Sequence, residues 1–162
     1  MGVKCGDIEA ECYDEIWQKY FPESANSTRV LLYQDELVVS FLDRKQKSEV
    51  HALVVPRFIH ILGTESLSPE HHTDLLLRMV EVGERVVQGQ LEMKGYDSEA
   101  ENVRLGFHRW PLRSIDHLHL HAMAGAFVSC TGNLKYRPWL PFIGYLDARK
   151  LLVCFQKRSH RS

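Results

Sequence analysis

The chain has 162 residues, 44% hydrophobic and 25% charged, the profile of one soluble globular domain. Its 20 Lys+Arg against 21 Asp+Glu leave a net charge of −1. That balance excludes a broadly basic nucleic-acid coat and an acidic disordered tail, but not a small charged ligand held at one place. The nine histidines are the unusual entry in the composition.

Other classes fall away quickly. A chain of this size buries roughly 70% of its unfolded surface and needs no disulfide or metal staple. No apolar run approaches the roughly 20 residues that span a bilayer, so no membrane association is expected. The start, Met1-Gly2-Val3-Lys4-Cys5-Gly6-Asp7, turns acidic at once and does not read as a signal peptide. Gly6 stands where a myristoylation motif needs Ser or Thr. Cys5, Cys12, Cys130 and Cys154 are widely spread and read as reduced thiols of a cytoplasmic or nuclear protein. Cys5 and Cys12 lack the CxxC spacing of a zinc ribbon.

In chain order, residues 7–20 carry Ile8, Cys12, Ile16 and Trp17 near helical spacing, a short helix ended by Phe21-Pro22. Two β-rich runs, 29–34 and 37–42, flank Asp35-Glu36, a two-residue hairpin connection in outline. Residues 43–48 are a loop, and 49–55 a strand stopped by Pro56. Ser68-Pro69-Glu70 is a helix start, with Ser at the N-cap, Pro at the first helical position and a carboxylate in the first turn. That helix should run to about Leu91 on an apolar face of Leu75, Leu76, Met79, Val82 and Val86, and end at Lys94-Gly95. Residues 102–107 and 116–123 are strands, and 146–155 a short C-terminal helix. The sum is one α+β domain over 1–162 with a mostly antiparallel sheet, its core at about 29–125 and a C-terminal extension at 126–162.

His117-Leu-His-Leu-His121 is the informative segment. A strand repeats every two residues, so its three imidazoles share one face while Leu118 and Leu120 point to the core. Three readings are open. The row can chelate a metal, with His51 as a further ligand. It can do nucleophilic chemistry at phosphorus, flanking imidazoles acting as proton donors. Or it is a strand without chemistry. The loop just upstream, residues 106–114, offers His108, Arg109, Arg113 and Ser114 as partners for an anion and favours phosphate chemistry.

His117-Leu-His-Leu-His-Ala-Met123 resembles the signature of the histidine triad family of nucleotide hydrolases and transferases. Ser114, three residues ahead, fits the same pattern, as do Phe41-Leu-Asp43 with His51-Ala-Leu-Val-Val-Pro56, and Leu105-Gly-Phe-His108. The resemblance covers about residues 31–125 and is strongest to the adenosine 5′-monophosphoramidase branch. It implies a HIT-like fold, with one long helix and short terminal helices. It also implies hydrolysis of AMP-amine or acyl-adenylate substrates through a covalent adenylyl-histidine on His119, with no cofactor and no metal.

By the same resemblance, His117 and His121 would hold the phosphate oxygens and orient His119. Ser114 would donate to the phosphate or leaving group. His51 would stand behind the triad, as a proton relay or a satisfied core histidine. Asp43 would accept from the ribose hydroxyls, Phe41 and Leu42 would line the base pocket, and His108 would contact phosphate or cap its loop. The resemblance also implies a homodimer joined sheet to sheet.

Two features depart from the pattern: Arg44 follows Asp43 where an apolar residue is usual, and Arg109-Trp110 makes the loop bulky. The segment Tyr136-Arg-Pro-Trp139 reads either as reaching a partner subunit's site or as surface packing. Rival functions are an aprataxin-like deadenylase of nucleic-acid ends, against which the near-zero charge argues, a nucleotide-binding regulatory module, and a metal-dependent protein. His60, His71, His72 and His160 carry no assigned chemistry and read as surface or capping residues.

Overall fold

The computed structural model describes residues 16–22, 31–97, 102–129, 136 and 144–159. Cys5, Cys12, Cys130, Trp139 and His160, and the expected structure at 7–15 and 29–30, lie outside the described residues. Among the described residues six strands form one sheet: β1 (Tyr33–Gln34), β2 (Val38–Leu42), β3 (Ser48–Pro56), β4 (Arg104–His108), β5 (Leu120–Phe127) and β6 (Tyr145–Asp147). They stand in the order β1-β2-β3-β5-β4-β6, every neighbouring pair antiparallel. The helices are α1 (Ile16–Tyr20), the long α2 (Pro69–Met93) and α3 (Ala148–Ser159). No helix among the described residues is long and apolar enough to cross a membrane.

Local chemistry fixes most of these boundaries. The first hairpin turns on Asp35, whose Oδ1 accepts the N–H groups of Leu37 and Val38, both at 2.8 Å. Residues 35–37 make the connection, one more than expected, because the aspartate side chain closes its own turn and holds Leu37 out of the strand. At the start of α2, Ser68 is the N-cap but its hydroxyl makes no capping bond. The reciprocal bond forms instead: the Ser68 N–H donates to His72 Nδ1 at 3.0 Å. Gly95, at φ 78°, closes the helix in a left-handed turn. There Gly95 N–H reaches Glu92 O and Tyr96 N–H reaches Leu91 O, each at 3.0 Å.

Two expectations are corrected. The strand predicted over 116–123 begins only at Leu120, so His117 and His119 lie in the extended lead-in. That lead-in is held by the Leu118 N–H bond to Ile61 O at 2.7 Å rather than by a ladder, and it keeps the alternation. The C-terminal region holds a strand, β6, ahead of its helix, which runs later than predicted. β6 docks on β4 where Gly106 leaves room: a Cβ there would stand 2.5 Å from Leu146 O and from the Tyr145 ring. That close approach is invisible in a three-residue sequence pattern.

Period-two alternation divides the sheet into two faces. Val38, Val50, Ala52, Val54, Leu105, Phe107, Leu118, Leu120 and Ala122 face the apolar side of α2 and form the main core. The other face bears the histidines, flanked by two smaller apolar clusters. One contains Trp17, Phe21, Val39, Phe41, Leu53 and Val55, and the other Met123, Tyr136 and Tyr145.

Candidate active site

Burial of Leu118 and Leu120 sets the register, and the register aims the imidazoles. Leu53 pairs with His121, and His51 with Met123, so His51 of β3 lands diagonally beside His121 of β5. Asp43 follows β2 and its N–H donates to His51 O at 2.9 Å, so its side chain shares the same face. Gly106 pairs with His121, and β4 carries His108 two residues further to the His119 level. His51, His108, His117, His119 and His121 are all buried.

Hydrogen bonds determine the tautomers. Lys47 N–H donates to His51 Nδ1 at 3.3 Å, so a neutral His51 carries its proton on Nε2. His51 Nε2 lies 2.9 Å from His121 Nδ1, which therefore accepts, and His121 bears its own proton on Nε2. Burial, above all, pushes His51 down to about 4, against the opposite pull of Asp43. His119 Nδ1–H donates to His117 O at 2.7 Å, which leaves Nε2 with a lone pair. The neutral His117 donates from Nε2 to Pro56 O at 3.1 Å. Its Nδ1 accepts from His60 Nδ1, 3.2 Å away. Burial lowers His117 to about 4, and the Pro56 carbonyl pulls the other way.

The side chains of Asp43, His51 and His121 bring possible metal-ligand atoms within 4.8 Å of one another. His51 Nε2 stands 3.4 Å from Asp43 Oδ2. However, the Lys47 N–H fixes the His51 proton on the atom a metal would need.

Other candidates are placed as follows. Phe41 is buried between Trp17, stacked at 5.4 Å, and Phe21, tilted at 5.4 Å. Leu42 ends β2, half-buried, and pairs in register with Ala52. Asp43 Oδ1 accepts Lys45 N–H at 2.8 Å, which fixes its carboxylate at the mouth of the loop. His108 is the last residue of β4, its ring edge-on to His121 at 4.7 Å. Ser114 is exposed three residues before His117, and no hydrogen bond joins it to the histidines. Arg113 is not available to an anion. It pairs with Glu65, and with Asp116 at 3.0 Å, bracing the loop ahead of the triad.

Several residues at the site were not anticipated. Phe21 lies edge-on to His119 at 5.8 Å. Tyr20 stacks on both His60 and His117, and its hydroxyl reaches His60 Nε2 at 3.3 Å. Tyr136 is neither surface packing nor exposed: it is 3% exposed and meets His51, His108 and His121 with its ring. The helical i, i+3, i+4 spacing of Trp17, Tyr20 and Phe21 was a usable signal for the first group. Tyr136 had none, because it is isolated between polar residues.

Comparison with known proteins places the chain in a family. The family described as scavenger mRNA decapping enzyme C-term binding (DcpS_C) matches residues 17–136. The chain is 35% identical to the mouse adenosine 5′-monophosphoramidase HINT3 over 154 residues, 90% of this chain and 87% of that one. The chain belongs to the histidine triad family. A second histidine triad relative is the Arabidopsis thaliana bifunctional adenosine 5′-phosphosulfate phosphorylase/adenylylsulfatase HINT4. It is 35% identical over 127 residues, 78% of this chain and 82% of that one. In fold, the chain superposes on a HIT family hydrolase from Legionella pneumophila with a TM-score of 0.55 at 18% identity. The superposition covers 70% of this chain and 96% of that one.

Proposed function

We propose that this histidine triad hydrolase cleaves adenosine 5′-monophosphoramidates through a covalent adenylyl-histidine on His119. The observation that carries the reading is the 2.7 Å bond from His119 Nδ1–H to His117 O, which leaves the Nε2 lone pair for phosphorus. Nε2 attacks the α-phosphorus, the P–N bond to the leaving amine breaks, and the departing nitrogen takes up a proton. Water then attacks the same phosphorus, the P–N bond to His119 breaks, and AMP leaves. His121 Nε2–H donates to a phosphate oxygen, its tautomer enforced by His51.

His117 acts through its backbone carbonyl, because both its ring nitrogens are engaged with Pro56 and His60. Phe41, Trp17 and Phe21 offer an apolar, aromatic bed for the base, and Asp43 accepts from the ribose. Ser114 stands free to meet the leaving group. The activities named for the mouse and Arabidopsis relatives support a nucleotide conjugate as substrate. A sheet-to-sheet homodimer would pair through β1 or β6, the two edge strands. Sedimentation velocity distinguishes it from a monomer.

The test is release of AMP from an AMP-amine conjugate, with the adenylylated protein trapped by acid quench and its site mapped by mass spectrometry. Label on His119 supports the reading, and full activity in His119→Ala overturns it.

A further inference from the structure

The segment that joins β5 to β6 is pinned at both ends beside the site. Val128 N–H donates to Lys47 O at 2.9 Å, next to the loop that sets His51. Arg109 N–H donates to Gly144 O at 3.0 Å, next to His108. Between these anchors Tyr136 turns inward. Its ring lies edge-on to His108 at 4.6 Å, His121 at 5.4 Å and His51 at 5.8 Å, and to Tyr145 of β6 at 5.6 Å. Tyr145 in turn is buried, and pairs in register with His108.

We propose that Tyr136 is a positioning residue of the active site, contributed by the chain's own C-terminal segment, whose ring locks the His51–His121 pair and keeps water from it. This rests on the role given to His121 above. The physical argument has two parts. Edge-on aromatic contacts restrict the plane of an imidazole, and only one plane lets His51 Nε2–H reach His121 Nδ1. Exclusion of water keeps His51 neutral, since a wet imidazole regains its ordinary basicity. The groups facing the pair are Asp43, Lys47 and His119 around His51, and His108, His119 and Tyr136 around His121. Among them Tyr136 is the one that follows β5 in the chain.

The test is an imidazole-nitrogen NMR titration of the full chain, alongside turnover of an AMP-amine conjugate. Tyr136→Phe keeps the ring and should leave both unchanged. Tyr136→Leu keeps apolar volume but loses the ring edges. It should raise the His51 titration midpoint by about one pH unit and lower kcat about tenfold, with KM within about twofold. If Tyr136→Leu does not fold, Tyr136→Met carries the same reading. A His51 and His121 titration identical to the parent's in the folded variant overturns the proposal, whatever the turnover. A shifted titration in the variant, with a parent chain that itself releases no AMP from the conjugate, upholds the positioning role and overturns the phosphoramidase reading instead.

Discussion

The histidine row has two ends, and each is backed by a further histidine. At one end His51 meets His121 at 2.9 Å, with Asp43 beside it. At the other, His60 meets His117 at 3.2 Å, with the Tyr20 hydroxyl behind it. The contacts are alike in distance but differ in surroundings. His51 is wholly buried, fixed by a backbone N–H and enclosed by Tyr136. His60 is exposed on a loop after β3. A buried pair has one permitted tautomer and is expensive to disturb, whereas an exposed one can exchange protons with water. The inner end fixes the His121 tautomer, and the outer end occupies the His117 ring whose backbone carbonyl takes the His119 Nδ1–H.

The largest effect is expected between the two ends, where both act. His119→Ala should lower turnover about a thousandfold or more, measured as AMP release, with the fold intact by circular dichroism. Next comes the buried end. His51→Ala opens a cavity and leaves His121 Nδ1 without its donor. It should cost about 2–4 kcal/mol in urea unfolding and about tenfold or more in kcat.

The third expectation concerns pH. His51 and His117 are both lowered to about 4 from an ordinary 6.5. Between those values the unfolded chain binds more protons than the folded one. Stability should therefore fall as pH drops from about 6.5, the share due to these two histidines being complete once pH is below about 4. His51→Phe, which cannot charge, should flatten part of that slope in urea midpoints taken across the window. The smallest effect belongs to the exposed end. His60→Ala should change stability by about 0.5 kcal/mol or less and kcat only a few-fold. A loss at His60 as large as at His51 would erase the distinction between the two ends.

The comparison also separates what could be read from residues and what could not. The α2 start at Ser68-Pro69, its stop at Gly95, and the triad's alternation were legible because each is a local device. His51 and Asp43 were legible through the family's motif. Arg113 read as a phosphate partner because a sequence does not show that Glu65, 48 positions away, and Asp116 hold it. His60 read as a surface residue, and its exposure agrees. Its bond to His117 depends on the loop after β3 folding back, where Ile61 O takes the Leu118 N–H.

By itself, the sequence determined the class of fold, the long helix and the face on which the three imidazoles stand, because alternation and capping are properties of adjacent residues. The tertiary structure decided which nitrogen of each imidazole carries the proton. That choice depends on Lys47 N–H, Pro56 O and His117 O arriving from separate stretches of chain, or from the backbone's own turn. It also decided that β6 would seat on Gly106 and Tyr136 enter the site, because close approach between distant segments is a matter of packing and not of pattern.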